Sequence, residues 1–285
     1  MVTNIFPVVV VYNKSIEDSI TLNSFRENAI PNENVIVVDN STSDYGVGSY
    51  CQSLNYRYIS MNGNAGLSKA YNKSLDYLRS IAKPDDLVVW LDDDTNITKE
   101  YVEILKQEAI KNIECDIFMP IIIGQDGVIY SPNEGRFMRS RFMKSPNDEI
   151  DMSKINGINS CLAVRYRLYK NYRYTEDLFM DLTDNQFFDD MRKNNASVNI
   201  IRTVIHQSFF QRGDNANINS VIGRFRLRIA DFMIYARKKG LGYLFLALVK
   251  SYGWGFVTGK KYKSLKIMWT CVFQGTKHFV KNIVK

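Results

Sequence analysis

The chain has 285 residues, 45% of them hydrophobic, which excludes a disordered chain and leaves room for one large α/β domain with a smaller appendage. Its net charge of +7 is uneven: residues 218–285 carry 14 Lys and Arg against one acid, Asp231, while residues 1–217 carry 23 basic and 29 acidic residues. An acidic body with a basic tail is thus concealed by a basic average, and both nucleic acid and an anionic membrane surface attract such a tail.

Ile5–Val11 is an apolar, β-branched run and predicts a buried strand. The N-terminus has no basic stretch ahead of it and too short an apolar run for a signal peptide. Residues 15–28 carry a helical pattern with Ile16, Ile20, Leu22 and Phe25 inward. Val35–Val38 is a second buried strand, closed by Asp39-Asn40-Ser41, and Tyr56–Ile59 is a third. Gly66–Ile81 reads as a helix with Leu67, Ala70, Tyr71, Leu75 and Leu78 on one face. Leu87–Leu91 is a buried strand ended by three aspartates. Thr98 is placed to cap a helix running to Asn112, with Glu100 suited to its dipole, and Asp116–Ile123 follows as a strand. Strands alternating with helices imply a mostly parallel sheet flanked by helices.

Gly124–Asp151 is turn-rich and reads as a hairpin with a mobile loop. Cys161–Val164 predicts a strand, Asn185–Asn194 a helix and Val198–Ile201 a strand. Basic amphipathic helices follow at 218–239, 241–252 and 263–282, so the expected division is a catalytic domain over 1–217 and a basic helical region over 218–285. The most apolar stretch, Leu241–Val249, is shorter than the about 20 residues that span a bilayer. Cys51, Cys115, Cys161 and Cys271 are scattered, with no metal or redox spacing, and are expected to be free thiols.

The chemistry-bearing residues cluster at the ends of predicted strands, where open α/β sheets bind ligands. Asp92-Asp93-Asp94 are three adjacent carboxylates whose mutual repulsion a divalent cation relieves; Mg²⁺ or Mn²⁺ bound together with substrate phosphates fits them, and a solvated acidic turn is the alternative. Asp39 can accept hydrogen bonds from a nucleobase or a ribose, or simply form an Asx turn. Asn62-Gly63-Asn64-Ala65-Gly66-Leu67-Ser68 opens a helix whose free N–H groups suit a diphosphate, although it matches neither a dinucleotide fingerprint nor a Walker A loop. Asp177–Asp184 is an acidic segment in which Asp181 and Asp184 can act as a general base, with helix capping as the plainer role for Asp184. His206 follows a predicted strand and can join a carboxylate on Mn²⁺, or be structural.

Taken in order, these pieces resemble the family 2 glycosyltransferases with the GT-A fold, a Rossmann-like sheet. They are most similar to bacterial rhamnosyl-, galactosyl- and galactofuranosyltransferases of surface polysaccharide and capsule assembly. The matching segments are Val10-Val11-Tyr12-Asn13, Val38–Ser41, Asn62–Ser68 with Asn72, Leu91–Thr95, Leu178–Asp184 and His206. The resemblance covers residues 5–210 and extends loosely through Arg224-Phe225-Arg226 and Ala236–Lys239.

It implies an inverting, metal-dependent transfer of a hexose from a UDP- or dTDP-sugar to a lipid-linked or surface glycan. Tyr12, Asn13 and Asp39 would line the base pocket. Asn64, Gly66, Asp92 and Asp93 would lie at the nucleotide-sugar. Asp94 with His206 would hold Mn²⁺ or Mg²⁺, and Asp184, with Asp181 beside it, would be the base. The chain departs from the family at Asn156–Ser160, where Ser-Gly is common, and at Gln186, where an acid often follows the base. Three aspartates in a row lean toward galactofuranosyl transfer.

On this resemblance the tail would hold the enzyme at the inner face of the cell membrane, with Trp254, Phe256 and Trp269 as interfacial anchors, or form a homo-oligomer interface. A sugar nucleotidyltransferase would need a Gly-rich basic loop after the first strand, and Tyr12-Asn13-Lys14-Ser15 has no glycine. A nucleic-acid binder is disfavoured by the sheet-end aspartates and by the lack of a recognition motif. A non-catalytic glycan-binding module would be expected to lack Asp94 or both Asp181 and Asp184, and all three are present.

Overall fold

The structure, a computed structural model, describes residues 3–25, 30–207 and 217–284. It divides into two compact units: Met1–Tyr174 with Phe187–Ser208, and Thr175–Gln186 with Phe209–Lys285.

In the first unit the strands are β1 (Ile5–Val11), β2 (Ile36–Asp39), β3 (Arg57–Ser60), β4 (Leu87–Leu91), β5 (Ile117–Gly124), β6 (Ile129–Ser131), β7 (Asn133–Glu134), β8 (Arg141–Phe142), β9 (Ile155–Asn156), β10 (Leu162–Arg165) and β11 (Val198–Gln207). The main sheet runs β11-β5-β10-β4-β1-β2-β3, and β6 folds back on β5. Strands β3, β2, β1 and β4 are parallel, as the alternation with helices predicts. β10 lies antiparallel between β4 and β5, so the sheet is mixed. β7 and β8, within the segment expected to be a hairpin and loop, form a small second sheet with β9, which lies beyond that segment.

Helices α1 (Ile20–Ser24), α2 (Val47–Ser53), α3 (Leu67–Leu78) and α4 (Lys99–Lys111) connect the strands of this unit. The helix expected over 15–28 is instead a short 3₁₀ turn at Ile16–Asp18 followed by α1, and residues 26–29 of that expectation lie outside the described residues. Ile16, Leu22 and Phe25 are buried, but Ile20 faces solvent. The break has a local cause: Ser19 caps α1 by accepting the Leu22 N–H, which a continuous helix would not allow. Thr98 caps α4 as expected, accepting the Tyr101 N–H at 3.2 Å.

The core centres on Trp90 of β4. Its ring lies 4.3 Å from that of Tyr71 on α3, and its Nε1 donates to the Tyr169 hydroxyl at 2.7 Å. Complete burial of such aromatic side chains stabilises by about 2–3 kcal/mol each before ordering costs. Arg165, fully buried at the end of β10, donates to the carbonyls of Asp85, Ala109, Asn112 and Cys115. Two of these carbonyls, Ala109 and Asn112, lie at the C-terminal end of α4, where a cation complements the helix dipole. The four cysteines are free thiols.

The helix expected at Asn185–Asn194 is α5 (Thr183–Lys193), whose first turn belongs to the second unit and whose remainder belongs to the first. The second unit otherwise holds α6 (Ile218–Lys239), α7 (Leu241–Lys261) and α8 (Leu265–Ile283). α7 runs nine residues beyond the expected end at Tyr252. α7 and α8 pack closely: a Cβ on Gly255 would lie 2.7 Å from the Cys271 Cβ and 3.0 Å from the Met268 carbonyl. No described helix is long and apolar enough to cross a membrane.

Candidate functional site

In the first unit, β1, β2 and β4 end side by side, and the loops that follow them are cross-linked. The Asn13 N–H donates to the Ser41 hydroxyl at 2.9 Å, and the Asn13 Oδ1 accepts from Thr42 N–H at 2.8 Å. Asp39 is 8% exposed; its Oδ1 accepts the Ser41 N–H at 3.0 Å and its Oδ2 the Tyr58 hydroxyl at 2.9 Å. The Asx turn, the plainer of the two roles open for Asp39, is formed, and it fixes the carboxylate at a strand end. Tyr12 is exposed beside it.

Asn40 ties this edge to the Gly-containing loop. Its Oδ1 accepts the Ala65 N–H at 2.8 Å and its Nδ2 donates to Asn64 Oδ1 at 3.1 Å. Gly66 has φ 93° at the mouth of α3, a conformation that disfavours any side chain. Gly66 gives the α3 N-terminus no side-chain cap, and such a helix end suits an anion. Asn72, part of the same motif, plays a structural part and exchanges two hydrogen bonds with the Tyr174 backbone.

The Asp92–Asp94 turn is splinted from below. Thr21, fully buried, accepts the Thr95 N–H at 2.9 Å, and its hydroxyl lies within donor reach of the Asp92 and Thr95 carbonyls. Asp93 forms an ion pair with Lys14 at 3.0 Å. Asp92 and Asp94 instead share the side chain of Gln207, whose Nε2 lies 3.1 Å from Asp92 Oδ2 and 3.1 Å from Asp94 Oδ1. Burial, and then the Asp93 charge, raise the Asp94 pKa above the usual carboxylate value. The Asn156–Ser160 segment reaches this turn through a 2.8 Å hydroxyl contact between Ser160 and Thr95.

His206 was expected just after a strand ending near Ile205, but β11 continues to Gln207. Burial alternates along its end, so His206 is exposed and Gln207 is buried. It is Gln207, not His206, that the structure brings to the two aspartates. Among the described residues no three His, Cys, Asp or Glu side chains form a cluster able to hold a metal.

The second unit carries the Asp177–Asp184 segment. Asp231 of α6 accepts three consecutive backbone N–H groups, from Phe179 at 2.9 Å, Met180 at 2.8 Å and Asp181 at 2.8 Å. Asp181 is paired with Arg224 at 2.5 Å and lies 3.6 Å from Arg228. Leu182 has φ 65°, a strained conformation for a branched side chain, immediately after this anchored stretch. Asp184 then enters the first turn of α5, where its Oδ1 accepts the Asn185 N–H. Burial, with a smaller contribution from the Asp181 charge, pushes Asp184 up to about 6. Of the two acids expected here, Asp181 is neutralised by arginine, whereas Asp184 has the proton affinity of a base working near neutrality.

Thr21, Gln207 and Asp231 are not among the site residues expected from the sequence, and Asn40 is expected only as part of the Asp39-Asn40-Ser41 motif. Asp231 leaves one signal, as the one acid of residues 218–285.

Comparison with solved structures finds the same fold over almost the whole chain. S. aureus TarS (residues 1–349) superposes with a TM-score of 0.54 at 16% identity, covering 99% of this chain and 81% of TarS. TarS in complex with UDP-GlcNAc gives 0.54 at 17% identity, with 99% and 82% covered. The mannosyltransferase PcManGT from Pyrobaculum calidifontis, in complex with GDP-Man and Mn²⁺, gives 0.53 at 16% identity, with 99% and 86% covered. Comparison with curated proteins finds no match. The sequence model of glycosyl transferase family 2 matches residues 8–173, more than half of the chain, from within β1 through β10. With the strand-end aspartates, the Gly66 loop and the GT-A architecture in place, the chain belongs to the family 2 glycosyltransferases.

Proposed function

We propose that this glycosyltransferase is inverting and divalent-metal-dependent, and transfers a hexose from a UDP- or dTDP-sugar to a lipid-linked or surface glycan at the inner face of a bacterial membrane. The observation that carries the proposal is the pair of carboxylates, Asp92 and Asp94, joined through one amide at the end of a buried strand. The complexes formed by the similar structures, with UDP-GlcNAc in one and with GDP-Man and Mn²⁺ in another, support a nucleotide-sugar donor and a divalent cation.

On this proposal Asp39 and Tyr12 hold the base, with Asn13 setting the loop beside them. Asn64 and the α3 N-terminus at Gly66 receive the diphosphate, and Asp92 lies at the ribose or sugar. Asp94 holds Mn²⁺ or Mg²⁺, which when bound supplies positive charge to the departing diphosphate. Asp184 takes the proton from the acceptor hydroxyl as its oxygen forms a bond to the anomeric carbon. The bond from that carbon to the diphosphate oxygen breaks, and the nucleoside diphosphate leaves with the electron pair.

The membrane side of the proposal rests on α7 and α8. Leu241, Phe245, Val249, Tyr252 and Phe256 recur at helical spacing along α7, and Leu265, Trp269, Phe273 and Val280 do so along α8; all are exposed. No acid occurs in 241–285, so a second copy would oppose like charges, whereas anionic lipid would contribute about 1 kcal/mol for each nearby Lys. Of the three expected anchors, Phe256 and Trp269 are exposed. Trp254 is not available as an anchor, because its ring packs 5.2 Å from that of Phe232.

The test is transfer from UDP- and dTDP-hexoses to a synthetic lipid-diphosphate glycan, followed by NMR of the product anomer. Inverted configuration, abolished by EDTA and restored by Mn²⁺, is expected. Retention of configuration, or transfer indifferent to EDTA, would overturn the proposal.

A further inference from the structure

We infer that Gln207 is a ligand of the divalent cation, supplying its side-chain carbonyl oxygen next to Asp92 and Asp94. The inference rests on the metal-dependent proposal above. Gln207 ends β11, is 3% exposed, and is pinned there by an antiparallel bridge to Thr95, the residue after the aspartates. Its Nε2 sits 3.1 Å from one oxygen of each carboxylate. Its Oε1 is buried and has no hydrogen-bond partner among the described residues.

A buried amide with its donor fully used and its acceptor orphaned is costly. The arrangement becomes intelligible if the amide works in two orientations. Without a cation, its NH₂ group lies between two anionic oxygens and relieves their repulsion. With a cation there, NH₂ would face like charge, and rotation by 180° about the Cγ–Cδ bond exchanges Nε2 for Oε1 without a change of shape. The carbonyl oxygen then points where the nitrogen did, and an amide oxygen is an ordinary ligand for Mg²⁺ or Mn²⁺. Two carboxylates alone are a sparse set, and no third His, Cys, Asp or Glu joins them among the described residues. His206, the neighbour expected from sequence to complete the set, lies on the exposed side of the same strand.

The experiment is titration of the full chain with Mn²⁺, following the EPR signal of free Mn²⁺, with UDP, dTDP and GDP present in turn. Gln207→Leu should weaken Mn²⁺ binding at least about tenfold, the low end of losses at metal-supporting residues. Gln207→Glu, which offers a carboxylate oxygen at the same reach, should bind at least as tightly as the native chain, and His206→Ala should stay within about twofold of it. Metal-free thermal melts of each variant establish that it is folded. Equal affinity in folded Gln207→Leu and the native chain would overturn the inference and leave the metal-dependent proposal standing. So would a folded Gln207→Glu with weaker binding, or a tenfold loss in His206→Ala. No Mn²⁺ binding by the native chain with any of the three nucleotides would overturn that proposal and this inference together.

Discussion

The two acidic turns of this enzyme handle negative charge in opposite ways. At the end of β4, one aspartate of three is neutralised by Lys14, and the other two face a single neutral amide. In the Asp177–Asp184 segment, Asp181 is held by Arg224 close to Arg228, the backbone is anchored on Asp231, and Asp184 is left desolvated with no cation bound to its carboxylate in any observed ion pair among the described residues. The first arrangement sets two carboxylates against one neutral donor, a place a cation can take. The second leaves one carboxylate with no ion-pair partner among the described residues, and burial pushes it up to about 6. A run of aspartates in sequence therefore says little about function until the partner of each is known.

The sharpest way to break this comparison is Asp184→Asn. It should lower kcat by about 10³-fold while leaving donor affinity within about twofold, because a general base contributes about 10²–10⁴ and no donor binding is assigned to it. Steady-state kinetics beside calorimetric binding of the donor checks both numbers, and an equal loss of donor affinity would remove Asp184 as the base. The native pH profile makes the same point. A base with a raised pKa is inactive when protonated, so kcat/KM should rise about tenfold per pH unit below about pH 6 and level off above it.

Asp231→Ala should have the next largest effect, since it strands three partly buried N–H groups and removes a carboxylate from beside Arg224. A loss of about 3 kcal/mol in chemical denaturation is expected. Asp231→Asn, which retains one acceptor oxygen, should recover part of it. The smallest effect belongs to the exposed helix faces. Trp269→Ser with Phe273→Ser should reduce co-flotation with anionic liposomes and leave transfer to a soluble acceptor unchanged. A native chain that stays at the bottom of the gradient would reject membrane association, and sedimentation as a dimer at micromolar concentration would favour a second copy as the occupant of that face.

Much of the fold was legible because burial on both faces leaves a continuous apolar signature. β1 and β4 fall at their expected bounds, as does α6. What escaped notice depends on contacts distant in sequence. α2, only seven residues long, has too few turns to show a period. β10 reads as any other buried strand, and its direction is set by pairing with β4 and β5. The strand expected over Val198–Ile201 runs on to Gln207 across a register shift between Ile200 and Val204, which is set by its pairing with β5. The candidate site was legible as motifs, Asp39, Gly66, Asp92–Asp94 and Asp184, because each follows a strand or opens a helix. Thr21 and Asn40, which hold those motifs, are small polar residues whose roles appear only when the loops meet.

The most direct test of the central claim is a thermal-shift comparison of the native chain and Asp94→Ala with UDP, dTDP and GDP, each with and without Mn²⁺. A ligand at 100 times its Kd adds about 2.7 kcal/mol of stability, a readily visible shift. The expected result is stabilisation of the native chain by UDP or dTDP that requires Mn²⁺ and is lost in Asp94→Ala. Stabilisation that ignores both Mn²⁺ and the Asp94 substitution, or none with any nucleotide, would contradict a metal-dependent nucleotide-sugar site at the end of β4.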